Sequence, residues 1–191
     1  GGSSVGGAGR GAPAGCLYAR AESHWAIRRV CRALKAARRY NRRGRDILGT
    51  GRDLDLEIRI GGGAFVCGEE TALIASIEGK RGSPSPRPPY PSVKGLWGMP
   101  SCVNNVETLA NVPTIINRGG AWFASMGTET STGTKVFALT GKVEHSGLIE
   151  VPTGISLRRL GESLGGGTAT GKGGKALQTG GPPGAVSTAD P

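Results

Sequence analysis

Residues 61–73 read GGGAFVCGEETAL: three glycines, a short apolar run, a fourth glycine, then two adjacent carboxylates, Glu69 and Glu70. Just before them, Asp53 to Ile60 read DLDLEIRI. Leu54, Leu56, Ile58 and Ile60 are apolar there at a period of two, the pattern of a strand with one buried face. Just after, Ala72, Leu73, Ala75, Ser76 and Ile77 fall at helical spacing, and Gly79 supplies the stop. A glycine turn between strand and helix lets the backbone approach a ligand closely, and the helix start offers free N–H groups. The expected class is therefore α/β, with a binding site at this junction. No Lys-Ser or Lys-Thr follows the glycines, and two acids would repel phosphates, so a P-loop is excluded. A polar but uncharged partner fits better. The acids also have a purely structural use, because the helix dipole favours a carboxylate in the first turn by about 0.3–1 kcal/mol. Both uses stay open at this point.

The net charge of +10 on 191 residues invites a nucleic-acid reading, but the excess is local. Between Arg20 and Arg45 stand ten cationic side chains and one carboxylate, Glu22. In HWAIRRVCRALKAARRY, Trp25, Ile27, Val30, Cys31, Leu34 and Ala37 form an apolar stripe that leaves the arginines on the opposite face. The expectation is a solvated face, or a surface for an acidic partner subunit, more than an RNA-binding one, since stacking aromatics beside the arginines are not expected with Trp25 assigned to the stripe. Cys16, Cys31, Cys67 and Cys102 are separated by 15, 36 and 35 residues. That spacing encodes neither a zinc site nor a local iron–sulfur cluster and points to free thiols. No apolar run reaches the roughly 18 residues of a membrane span, and the start of the chain has no signal-peptide core, so a cytoplasmic protein is expected.

In chain order, residues 1–14 read as a flexible glycine-rich start, in which GGAGRG imitates a dinucleotide fingerprint without the strand that should precede it. Cys16 to Arg20 is a short strand. A basic helix from about Ser23 to Arg42, with Ser23 as N-cap, returns the chain to the second strand in parallel. SPSPRPPYP, 83–91, is a stiff loop that can hold Arg87 and Tyr90 over a bound nucleotide, the cation near phosphate and the ring on adenine. NNVETLANVPTIIN, 104–117, reads as a helix. Its start is either a capping box of Asn104 with Glu107, or an anion site made by free amides, Asn105 and Thr108. Residues 122–134 shift to Gly, Ser and Thr like a linker. After them come strands KVFALTGKV and GLIEVP, a short helix near Ser156 to Leu164, and ALQTGGPPG.

Three stretches, GGGAFVCGEETALIASIEGKRGSP, PRPPYP and VNNVETLANVPTII, occur in this order. Together they resemble the NADH-oxidising, NADH-binding FMN flavoprotein subunit of respiratory complex I, the F subunit of NADH-quinone oxidoreductase. That family also includes diaphorase subunits of NAD-linked hydrogenases and formate dehydrogenases. The resemblance covers about residues 15 to 184. It implies a partial Rossmann-like domain binding FMN and NADH over 15–125, a linker at 126–133 and a partial β-grasp module of the soluble-ligand-binding (SLBB) type over 134–191. It further implies FMN and NAD(H) as cofactors, with Gly61, Gly63, Phe65, Gly68, Glu69 and Glu70 at the flavin and nicotinamide and Glu70 as the catalytic contact. Asn104, Asn105 and Thr108 would hold the flavin phosphate and ribityl chain, while Arg87 and Tyr90 serve the adenine half. Ser85 stands where the family usually carries arginine.

The upstream glycine-rich loop and the downstream cysteines of a [4Fe–4S] centre are not recognisable, so a fragment carrying the middle of the flavoprotein is expected. The expected activity is hydride transfer from NADH to FMN, feeding electrons to iron–sulfur clusters. Its partner would be a thioredoxin-like [2Fe–2S] subunit, and its place the cytoplasm, peripheral to the inner membrane through partner subunits. A non-catalytic docking remnant and a basic-helix nucleic-acid binder are the other two classes.

Overall fold

A computed structural model of the chain describes residues 12–168, 170–171, 173–181 and 184–188. The GGAGRG imitation and most of the glycine-rich start lie outside the described residues. Two compact units form, the first ending at Pro113 and the second beginning at Thr114.

In the first unit, β1 (Ala14–Arg20) and β2 (Asp55–Gly61) pair in parallel, with Leu17 opposite Ile58 and Arg20 opposite Gly61. Helix α1 (His24–Arg39) connects them, as parallel strands require a crossover. The helix stops short of Arg42 because Asn41 takes a left-handed conformation, φ 50°. Asn41 N–H then donates to Arg38 O and Arg42 N–H to Ala37 O, the paired bonds that close a helix. Ser23 precedes the helix but gives no side-chain cap.

The apolar stripe of α1 is narrower than its sequence suggests. Ile27, Val30, Leu34 and Ala37 are half-buried, whereas Cys31 is exposed and Trp25 is 64% exposed. At 100° per residue Trp25 falls on the side of Arg28, Arg29 and Arg32, so it belongs to the cationic face. The Arg28 guanidinium sits 5.4 Å from its ring centroid, a contact worth about 0.5–1 kcal/mol at an exposed site. An aromatic does therefore stand beside the arginines, contrary to the sequence reading.

Leu54, just before β2, and Leu56 within it are buried as the alternation requires, but Ile60 is 59% exposed. The alternation fails at the carboxyl end, where Ile60 faces out while Gly61 is buried against Tyr18. Beyond it, α2 (Glu70–Ile77) buries Ala72 and Leu73, and Tyr18, Cys67 and Leu73 form the central cluster with Ile77 packed against it. Gly79 ends α2 at φ 76°, with Gly79 N–H donating to Ser76 O and Lys80 N–H to Ala75 O. Helix α3 (Val106–Arg118), which contains the junction of the two units, starts two residues after Asn104. Asn105 is then its flanking residue, and its carbonyl accepts from Leu109 N–H.

In the second unit, Trp122 and Phe123 are helical, within α4 (Gly120–Ala124), rather than part of a linker. The Gly/Ser/Thr stretch after them closes as a turn bridged from Gly127 to Thr132. A Cβ at Gly133 would fall inside the Phe123 ring, so Phe123 needs a glycine beneath it. Strands β3 (Thr134–Leu139) and β4 (Gly147–Pro152) form an antiparallel hairpin, as do β5 (Ala176–Gln178) and β6 (Val186–Thr188). Val151 and Leu160 are buried. The expected short helix is a wide, π-helical turn at Arg159–Leu164. Among the described residues no helix is long and apolar enough to cross a membrane, and no cluster of His, Cys, Asp and Glu has the form of a metal site. The four cysteines are free thiols.

Candidate functional site

The site begins with the four glycines, of which two are held by the fold and two are not. A Cβ on Gly61 would fall inside the Tyr18 phenol. Gly63 has φ 87°, and a Cβ there would meet Glu22 Oε2 at 3.0 Å. Gly62 and Gly68 have ordinary backbone angles, and nothing lies within 4 Å of a Cβ placed on either. The fold itself thus demands Gly61 and Gly63, whereas Gly62 and Gly68 leave bare backbone facing open space.

Gly68, unlike Gly62, borders a cleft of about 600 Å³ lined by Tyr18, Arg20, Ala64, Phe65, Val66, Cys67, Gly68 and Glu69, within the usual range of ligand pockets of roughly 300–1,000 Å³. It opens at the carboxyl ends of the two parallel strands, where open α/β sheets bind their ligands. Phe65 is 70% exposed, an aromatic face offered to the opening. Tyr18 is buried and its hydroxyl lies 3.0 Å from Ser76 Oγ. Burial pushes its phenol up, against the Ser76 hydrogen bond.

Glu69 caps α2. Its Oε2 accepts from the Thr71 and Ala72 amides at 2.9 and 3.0 Å and from the Thr71 hydroxyl. Its Oε1 accepts from Arg87 Nη2 at 2.9 Å, while Arg87 Nη1 donates to Glu70 Oε1 at 2.7 Å. One guanidinium therefore bridges both acids of the motif. Ser85 N–H donates to Thr71 Oγ1 at 2.8 Å, so the proline loop is pinned to the start of α2 by its backbone as well as by Arg87. Partial burial works to raise the Glu69 carboxyl, but the Thr71 hydroxyl, the two amides and the Arg87 charge outweigh it and hold it below the usual carboxylate range.

A folded pKa below the unfolded one gives stability that is complete above the unfolded value, about 4.3. It is lost as pH falls through the folded value. Urea midpoints measured from pH 7 down to pH 3 are expected to fall, and Glu69→Gln is expected to flatten that fall. At pH 7 the substitution should cost about 1 kcal/mol, the usual worth of an N-cap.

The structure brings Phe65, Gly68 and Glu69 into the cleft wall, with Gly61 beneath Tyr18 and Glu70 and Arg87 joined to Glu69 through the ion pairs. Tyr90, Asn104, Asn105 and Thr108 do not line it. Tyr90 is exposed, and its carbonyl accepts from Val93 and Lys94. The Asn104 amide donates to Cys102 Sγ at 3.2 Å. Sequence reasoning missed Tyr18, Arg20, Ala64, Val66 and Cys67. The signal for Arg20 was present: once two strands are read as parallel, the last residue of the first stands beside the glycine turn of the second.

Residues 2–114 match the family described as the Nuo51 FMN-binding domain. The NADP-reducing hydrogenase subunit HndC of Solidesulfovibrio fructosivorans is 56% identical over 94% of this chain and 37% of its own length. The F subunit of the NADH-quinone oxidoreductase of Escherichia coli is 42% identical over 87% of this chain and 38% of its own. The crystal structure of an NAD+-reducing [NiFe]-hydrogenase in the H2-reduced state superposes with a TM-score of 0.79 at 40% identity, over 95% of this chain and 30% of that one. The chain spans well under half the length of the curated relatives it matches. The matched residues make up more than half of the chain and include the glycine turn and the paired acids, and the chain belongs to the Nuo51 FMN-binding domain family.

Proposed function

We propose that this chain is the flavin-holding part of a subunit that oxidises NADH, passing a hydride to FMN and the electrons on to iron–sulfur clusters. The observation that carries this reading is the cleft itself: bare backbone at Gly68, the exposed Phe65 ring beside it and no lysine among the lining residues. Such a wall suits a planar, largely apolar heterocycle: it lacks the lysine of a triphosphate grip, and the one cation among its described residues, Arg20, is paired with Glu22. When bound, FMN supplies the redox chemistry, and the protein supplies orientation and electrostatics. Phe65 and Gly68 would take the ring. Glu69, fixed by its cap and by Arg87, would form a rigid rim, and Glu70 would meet the nicotinamide. Asn105 and Thr108 at the start of α3, with Asn104, would serve the phosphate and ribityl chain, and Arg87 and Tyr90 the adenine half of NAD(H).

The parallel β1–β2 pair with its connecting helix supports a partial Rossmann-like domain over 15–125. Beyond a linker at 126–133, the two antiparallel hairpins support a partial β-grasp module over 134–191. The relatives' names mark them as subunits or as a multi-metal hydrogenase, which supports assembly with other chains. A thioredoxin-like [2Fe–2S] subunit is the partner proposed, and a peripheral place on the cytoplasmic face of the inner membrane the location.

Titrating the chain with FMN, then adding NADH without oxygen, tests the reading. Flavin fluorescence is expected to be quenched on binding and the flavin absorbance to bleach with NADH. Glu70→Gln should slow bleaching or weaken NADH binding about tenfold, the scale of one lost charge-assisted hydrogen bond. Unchanged values would remove Glu70 from the reaction.

A further inference from the structure

We infer that Arg20 is the polar anchor of the cleft and that it takes the carbonyl edge of a planar ring, not a phosphate. This role rests on the flavin reading above and deepens it by assigning which part of the ligand enters and what balances the charge the ring acquires.

Three observations carry it. The parallel register sets Arg20 opposite Gly61 at the carboxyl end of β1, and its side chain lines the cleft. The other charged group in the lining is already engaged: Glu69 Oε2 caps the helix and Glu69 Oε1 holds Arg87. Arg20 has five N–H donors, and among the described residues its side chain pairs with Glu22 through Nη2. Donor capacity within the cleft is therefore left on Arg20. Finally, the charge balance disfavours a phosphate. Arg20 is met by Glu22 and Glu69 by Arg87, so a dianion would find no cation without a carboxylate beside it, whereas Ala64, Phe65, Val66 and Tyr18 suit an uncharged ring.

Charge at this edge bears on the reaction as well as on binding. A hydride leaving NADH carries two electrons, so NADH becomes NAD+ and the neutral acceptor ring takes on the hydride and one negative charge, with no further proton required. A guanidinium on the carbonyl edge attracts that charge, and a neutral side chain in its place does not. Arg20 should therefore favour the reduced ligand over the oxidised one, acting on both binding and potential.

The test compares the whole chain with Arg20→Met and Arg20→Lys, using FMN and riboflavin, which lacks the phosphate, as probes. Dissociation constants come from fluorescence quenching, and the midpoint potential of the bound flavin from spectroelectrochemistry. Arg20→Met is expected to weaken FMN and riboflavin by the same factor, about tenfold or more. It should also lower the potential by about 30 mV for each tenfold of extra loss in the reduced form. Arg20→Lys should recover part of both. Glu22→Gln, which frees Arg20 without touching the cleft wall, should tighten both ligands and raise the potential, and it decides the matter if Arg20→Met does not melt cooperatively. Loss of FMN affinity with riboflavin unchanged would put Arg20 on the phosphate and overturn the inference, as would no change in either constant or the potential. If the unaltered chain binds neither flavin, the functional reading itself falls, and this inference with it.

Discussion

Gly61→Ala is expected to destabilise the first unit by about 3 kcal/mol, near the upper end of what overpacking costs. Gly62→Ala, one residue on, should change stability by less than about 0.5 kcal/mol. The difference lies in what each added methyl meets. At Gly61 it enters the Tyr18 phenol, and Tyr18 is hemmed in by Cys67 and Leu73 and tied to Ser76 at 3.0 Å. The ring can retreat only by breaking that bond and opening the central cluster. At Gly62 the methyl meets open space on a backbone that L residues adopt freely. Urea denaturation of the two variants reads the contrast directly. Equal midpoints would mean that the Tyr18 ring repacks without cost, and that glycine at 61 serves the ligand instead.

Gly68→Leu should produce the opposite pair of effects, a small change in stability and a loss of flavin affinity of about a hundredfold, equivalent to about 2.7 kcal/mol. Gly68 sits in a single turn of 3-10 helix with nothing near its Cβ direction. The first carbon of a larger side chain therefore meets nothing in the protein, and the side chain would stand among the residues that line the cleft. Thermal melts and FMN titrations of the same preparation separate the two quantities. Affinity within a few-fold of the parent would mean that the flavin does not enter this cleft. Gly68→Ala should fall between, because a methyl fills far less of the opening.

How far the site was legible depends on which interactions are local. The glycine turn, the strand before it and the helix after it are signalled by neighbours a few residues apart, and they occur where the sequence places them, within two or three residues. The pairing of Arg87 with Glu69 and Glu70 spans about 17 residues and depends on how the proline loop folds back. Sequence assigned that cation to a nucleotide and the acids to the flavin, and nothing in spacing announced that they would meet. Trp25 failed differently. A wide apolar stripe admits it, yet 100° per residue sets it beside Arg28, so the period alone places it on the cationic face.

What the sequence by itself determined is the order of elements, the parallel sense of β1 and β2, and a glycine turn without a phosphate-gripping lysine. These follow from period, glycine and proline placement and the crossover that parallel strands need, all of them properties of contiguous chain. Only the tertiary structure decided that Gly61 answers to Tyr18 while Gly68 answers to nothing in the chain, and that Glu69 is spent on a helix end. It also decided that Arg20 keeps donors to spare in the cleft. Those assignments depend on which atoms distant parts of the chain bring within a few ångströms of each other, and a one-dimensional pattern carries no record of that.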